Sequence, residues 1–154
     1  MPKRREQIRM SDEEVWAFID SQKSMQVATL NQDGSPHLTT LWFAVIDGEI
    51  AFETFTKSQK IKNLQRDPRI AVLFEDGTEY NKLRGVSINA TARLYSDPDE
   101  VHTYALAVMK RNNPSVPAEQ LDAMAKQLAR KRSAVVIKPE RIASWDHTKL
   151  DVPY

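Results

Sequence analysis

Between residues 85 and 95 apolar and polar side chains alternate without a fault. Val86, Ile88, Ala90, Ala92 and Leu94 face one way, and Ser87, Asn89, Thr91 and Arg93 the other. This is the period of a half-buried strand. Similar segments recur at 25–30, at 36–46, which is rich in Thr, Trp, Phe and Val, at 49–55 and at 69–74. A last one, in two pieces at 133–138 and 141–145, is bent at Pro139. Asp47-Gly48 is a two-residue hairpin signal, so 36–55 is expected to fold as one hairpin. The spacing turns helical elsewhere. Val15, Phe18 and Ile19 share a face; Ser11 and Glu14 stand at capping-box spacing, with Met10 and Val15 placed for a hydrophobic staple. A short helix at 58–66 has Ser58 as its cap, Ile61 and Leu64 inward, and Asp67-Pro68 as its stop. Asp97 and Pro98 open a third helix with Val101, Tyr104, Ala105 and Val108 inward, broken at Asn112-Asn113-Pro114. A fourth spans 117–132, with Leu121, Met124, Ala125 and Leu128 on its core face.

Six strands with hairpin-like links favour an antiparallel sheet, and small antiparallel sheets close to remove their edges. The expectation is a mainly β fold: a six-stranded antiparallel barrel with helices packed outside, in one domain over residues 1–154. The composition agrees, with 154 residues, 41% of them apolar and 28% charged. A chain of this length buries roughly two-thirds of its unfolded surface and needs no staple. Cysteine is absent, which removes disulfides, thiolate metal sites and thiol nucleophiles together. The longest apolar run, residues 41–46, is too short to span a bilayer. The basic start Met1-Pro2-Lys3-Arg4-Arg5 is not followed by an apolar stretch and does not read as a secretory signal. The expectation is a soluble cytoplasmic protein without a membrane partner.

Net charge is only +1, yet cations gather in two segments. Residues 57–69 hold Lys57, Lys60, Lys62, Arg66 and Arg69 against Asp67. Residues 126–141 hold Lys126, Arg130, Lys131, Arg132, Lys138 and Arg141 against Glu140. Solvated helix faces explain either one taken alone. The stretch Thr54-Phe55-Thr56-Lys57-Ser58-Gln59-Lys60 is more informative. A strand ends and a helix begins at Ser58, so the hydroxyls of Thr54, Thr56 and Ser58, the ammonium groups of Lys57 and Lys60 and free helix N–H groups converge. That set suits an anion; it also suits a capped helix with solvated lysines. No Walker loop or GxGxxG is present, and four glycines leave little for a glycine cradle. His37, His102 and His147 are far apart with no metal spacing. His147 follows Trp145-Asp146 and is the candidate site histidine. Trp42 and Trp145 can stack on a ligand ring or pack in a core.

In order and spacing the sequence resembles the flavin and deazaflavin split-barrel reductases, the group related to pyridoxamine 5′-phosphate oxidase, over about residues 10–150. The resemblance rests on Val27-Ala28-Thr29-Leu30 followed by Asp33-Gly34-Ser35-Pro36, and on Thr40-Leu41-Trp42-Phe43. It continues with Ser58-x-Lys60-x-x-Asn63-Leu64-x-x-Asp67-Pro68-Arg69, Leu83-Arg84-Gly85-Val86 and Ser144-Trp145-Asp146-His147-x-Lys149-Leu150. It implies a homodimer with a tricyclic cofactor in each groove between the chains. The cofactor phosphate would lie at Thr54, Lys57, Ser58 and Lys60, and the ring along Thr39, Thr40, Leu41 and Trp42. The oxidase branch carries Arg-x-x-x-x-Lys on that strand, Ser-Arg-Lys at the helix start and Arg-x-His near its end. Here the corresponding residues are His37-Leu38-Thr39-Thr40-Leu41-Trp42, Gln59 in place of the arginine, and Trp145-Asp146-His147. These departures speak against pyridoxamine phosphate oxidation and place the chain nearer the branch that uses coenzyme F420.

The expected function is therefore F420-dependent hydride transfer to a small unsaturated organic acceptor, with His147 or a water as the proton donor. FMN-dependent redox chemistry and a non-enzymatic cofactor or tetrapyrrole carrier on the same barrel are the alternatives. A nucleic-acid binder is the weakest reading, because neither basic segment interleaves aromatics for base stacking.

Overall fold

The computed structural model describes residues 1–151. A single helical turn, α1 (Arg4–Gln7), precedes α2 (Asp12–Ser21). Ser11 caps α2 as its spacing requires: its hydroxyl accepts from the Glu14 N–H at 3.2 Å, and the Glu14 carboxylate accepts from the Ser11 N–H at 3.2 Å. The strands β1 (Ser24–Leu30), β2 (Pro36–Trp42), β3 (Ala44–Ile46) and β4 (Glu49–Phe55) follow. Then come α3 (Gln59–Arg66), β5 (Arg69–Asp76), β6 (Arg84–Tyr95), α4 (Pro98–Asn112), α5 (Ala118–Ala129) and β7 (Arg132–Asp146). Single 3-10 turns lie at Tyr80–Lys82 and His147–Lys149.

All pairings are antiparallel, in the order β2-β1-β5-β6-β7-β4-β3. The count is seven strands rather than six. The segment expected as one strand over 36–46 divides at Phe43. Phe43 and Ala44 are both buried, so the in-out alternation slips there. The hairpin is correspondingly shorter and joins only β3 to β4, through Asp47 and Gly48, both at positive φ (52° and 77°). That is the turn a right-twisted pair prefers. β2 instead pairs with β1 along its whole length.

This split decides the architecture. β2 and β3 occupy opposite edges of the sheet, yet only Phe43 separates them in sequence. Two edges joined by one residue cannot lie a sheet's width apart, so the sheet curls into a barrel. Phe43 is fully buried at the seam, its ring centroid 4.9 Å from that of Phe74 and the Arg111 guanidinium 4.2 Å from it on another side. β7 runs continuously through Pro139. The bend expected there is a bulge, with Glu140 the extra residue between the pairs Ala90–Pro139 and Asn89–Arg141.

The two ends of the barrel are stopped by different helices. Phe18 and Ile19 of α2 join the core where Arg84 begins β6. Ile61 and Leu64 of α3 join it at the other end, where the Asn63 side-chain amide donates to Thr29 Oγ1 at 3.0 Å. α4 packs on β3 and β4, and α5 packs on α4 through Ala105, Met109, Leu121 and Ala125. That cover explains why Ile50, Ala51 and Phe52 are all buried in succession. Among the described residues no helix covers the outer faces of β2, β1, β5 and β6, and there Leu38 and Trp42 stay exposed at 69% and 44%. No helix among the described residues is long and apolar enough to cross a membrane.

Candidate functional site

The β4–α3 junction forms as its residues dictate. Ser58 caps α3, its hydroxyl accepting from the Ile61 N–H at 3.4 Å. The remaining N–H groups of the first turn have no intrahelical acceptor and point out of the helix end. Lys60 stands on that first turn. It is half-buried, desolvation alone holds its ammonium below the usual lysine range, and no carboxylate among the described residues pairs with it. A desolvated cation without a counter-charge beside a helix N-terminus is built for an anion. Lys57 is exposed and also unpaired among the described residues. Gln59 is turned along the helix, its amide donating to Asn63 Oδ1 at 2.9 Å. Arg66 is occupied as well, donating to the Leu30 carbonyl and to Asn63 Oδ1. Asp67 closes the helix and forks onto Arg69 at 2.7 Å, which holds its carboxyl down at about 2.

Thr54 is buried on β4. Thr56 shares a hydroxyl hydrogen bond with the fully buried Ser133 at 2.9 Å, and Ser133 in turn with Ser96 at 3.1 Å. This chain of hydroxyls ties the junction to the start of β7. The ladder does the same, pairing Thr54 with Ser133 and Phe55 with Arg132. Arg132 lies over the exposed Phe55 ring at 4.3 Å and forms an ion pair with Glu53 at 2.7 Å. Arg130 and Lys131 follow from α5, so the two basic segments of the sequence meet at one place. A cavity of about 560 Å³ there is lined by Phe55, Thr56, Lys57 and Ser96 on one side and Arg130, Lys131 and Arg132 on the other. Sequence reasoning left Arg130 and Lys131 as a separate basic face. Their only signal was charge, and the β4–β7 pairing that unites the segments is not local in sequence.

On β2 the four residues expected along a ring alternate between the faces. Thr40 and Trp42 point outward, whereas Thr39 and Leu41 turn toward the barrel interior. Thr40 donates to the Met25 carbonyl at 3.2 Å, and the Lys23 ammonium lies 5.3 Å from the Trp42 ring. Thr39 Oγ1 and His37 Nδ1 are buried without a hydrogen-bond partner, on the same side of the strand. Orphaned buried polar atoms are uncommon and point to a missing partner. His37 had no assigned role in the sequence reading.

Trp145 and His147 lie at the other end of β7. The indole rests directly on Gly85, its partner across the ladder; a Cβ on that glycine would stand 2.1 Å from Trp145 Cζ2. His147 Nδ1 is 2.7 Å from the Tyr80 carbonyl. A carbonyl only accepts, so Nδ1 carries the proton and Nε2 is the free ring nitrogen. The thirteen-residue step from Arg132 to Trp145 is roughly 40 Å along the strand. Trp145 and His147 thus lie at or just beyond the end of β7 opposite Arg132, which pairs with Phe55 of the junction.

A family model described as pyridoxamine 5′-phosphate oxidase matches residues 11–146. The crystal structure of a conserved hypothetical protein from Mycobacterium tuberculosis superposes with a TM-score of 0.91 at 42% identity, over 99% of this chain and 95% of that one. A structure described as an F420 reductase matches with a TM-score of 0.64 at 20% identity, over 93% of this chain and 98% of the other. A haem storage protein from Vibrio cholerae matches with a TM-score of 0.67 at 16% identity, covering 86% and 94%. The last two share the fold. No curated protein matches the sequence.

Proposed function

The chain belongs to the pyridoxamine 5′-phosphate oxidase family, and from that premise we propose that it is an F420-dependent reductase acting as a homodimer on a small unsaturated organic acceptor. The observation that carries this reading is Lys60: a half-buried, unpaired ammonium on the first turn of α3, beside the cap Ser58. Thr54, Thr56, Lys57, Ser58 and Lys60 would hold the phosphate of the cofactor. The ring would lie along the open edge of β2, within reach of His37 and Thr39, with their unsatisfied buried atoms, and Leu41 on one face and of Thr40 and Trp42 on the other. The preference for F420 over FMN follows from Gln59. A terminal phosphate dianion favours a bidentate arginine at the helix start; here that place holds an amide turned away toward Asn63. The phosphodiester of F420 carries one charge, which point-charge lysines suit.

When bound, the reduced deazaflavin supplies a hydride, two electrons and one proton, to an unsaturated acceptor. The chain orients the acceptor, excludes water and delivers the second proton. His147 is the candidate donor: as the imidazolium it would give up its Nε2 proton, because Nδ1–H is committed to the Tyr80 carbonyl. The homodimer reading has two supports: Trp145 and His147 lie far from the Lys60 end of the same chain, and the outer face of β2, β1, β5 and β6 is uncovered. A second copy seated on that face would supply the distant residues.

Titration of the apo-protein with F420 and with FMN, followed by tryptophan fluorescence, tests the assignment. F420 is expected to bind at least ~10-fold more tightly; equal or tighter FMN binding transfers the site to FMN. Lys60→Gln should weaken F420 binding about 10- to 100-fold, the loss of one charge-assisted hydrogen bond. Lys62→Gln, on the exposed side of α3, should leave it unchanged. The melting temperature of the apo Lys60→Gln protein should stay level or rise, because a desolvated charge is removed. Oxidation of reduced F420 by unsaturated acceptors separates a reductase from a carrier, which would bind without turnover.

A further inference from the structure

We infer that the cleft between the end of β4 and the α5–β7 turn is an oligoanion site, taking a molecule with two or three spaced carboxylate or phosphate groups. Lys57, Arg130 and Lys131 line one cavity of about 560 Å³ with Arg132, and no acidic residue among the described residues lines it. Arg132 is neutralised by Glu53 at 2.7 Å. The other three have neither an ion pair nor a side-chain hydrogen bond among the described residues, so three uncompensated cations face one space. A helix C-terminus attracts cations on its own account, which explains Arg130 and Lys131 at the end of α5. It does not explain Lys57, which reaches the same cavity from the opposite wall, beyond β4. Thr56 and Ser96 add hydroxyls, and the exposed ring of Phe55, fixed under Arg132, gives the floor an apolar surface for the carbon skeleton between anionic groups. A lone phosphate would use one cation and leave the others repelling each other. A chain of anionic groups at side-chain spacing satisfies all three.

Two sources have this chemistry: a free oligoanion, or the glutamate tail of a cofactor whose phosphate lies at Ser58 and Lys60. Lys57 adjoins both places, so a tail leaving the phosphate would enter the cleft; that part rests on the reading above. The site itself rests only on its lining.

Apo-protein titrated calorimetrically with tetraglutamate and with tripolyphosphate at low salt should bind both, more weakly as salt rises. Arg130→Gln/Lys131→Gln should lose at least ~10-fold in affinity with an unchanged melting temperature, since both side chains are exposed. Undetectable binding to the wild type, or equal binding by the double variant, overturns the site. F420 with a multi-glutamate tail is then compared with F420 lacking glutamates. A tail preference that the double variant abolishes assigns the cleft to the cofactor tail. Equal affinities, with tetraglutamate binding still lost in the variant, assign it to a free oligoanion. Absence of any F420 binding overturns the cofactor reading and leaves the oligoanion result standing.

Discussion

Gly85 and Trp145 face each other across the β6–β7 ladder, and the indole occupies the volume where any other residue would place a Cβ. The glycine is needed for space, not for backbone freedom. Gly85→Ala would force the indole off the strand and forfeit its contacts, at a cost of ~1–3 kcal/mol typical of overpacking. The expected readout is a lower melting temperature with a shifted tryptophan emission; an unchanged emission would mean that the indole does not rest there in solution. At this scale the sequence was informative wherever the chemistry is local. Ser11, Ser58 and Asp97 cap the helices they precede, because a cap needs only a hydroxyl or carboxylate three residues ahead of an N–H. His37 and Thr39 were different. That their polar atoms are buried and unpartnered depends on what surrounds β2.

Elements were legible where one period ran without interruption, as in β6, and misread where a period broke without a glycine or proline to mark it. Phe43 is that place. Its neighbours read as one strand, yet consecutive burial of Phe43 and Ala44 ends β2 on one sheet edge and starts β3 on the other. Phe43 thus holds the barrel seam against Phe74 and under Arg111. Phe43→Ala should cost about 3–5 kcal/mol, the range for a fully buried aromatic, measured by urea denaturation. A loss below ~1 kcal/mol would show that the seam is held by the remaining core alone. Pro139 raised the opposite problem: it marks a break, but a bulge absorbs it and β7 continues.

The whole molecule covers one side of its barrel with α4 and α5 and leaves the other side bare. Leu38 stands at the centre of this asymmetry, 69% exposed on an outer face that also carries Ala28, Ala71 and Leu73. A stable dimer buries roughly 800 Å² per partner, which a four-stranded face can supply. Light scattering of the wild type should report a dimer at micromolar concentration. Leu38→Asp should raise the dissociation constant at least ~100-fold, because burying one unpaired carboxylate costs about 3 kcal/mol or more. A monomeric wild type would defeat the shared-site reading and require Trp145 and His147 to act apart from Lys60.

What the sequence determined by itself were the properties set within a few residues: strand and helix periods, caps such as Ser58 at the start of α3, and the Asp47-Gly48 turn. Each depends on side-chain spacing along one stretch of backbone. Tertiary structure alone decided which faces those stretches present to one another. It sent β2 and β3 to opposite edges and divided Thr39 and Leu41 from Thr40 and Trp42. It also joined Lys57 to Arg130 and Lys131 through the pairing of Phe55 with Arg132. Charge and periodicity are local quantities, whereas a ladder between residues 55 and 132 is chosen by the packing of the whole core.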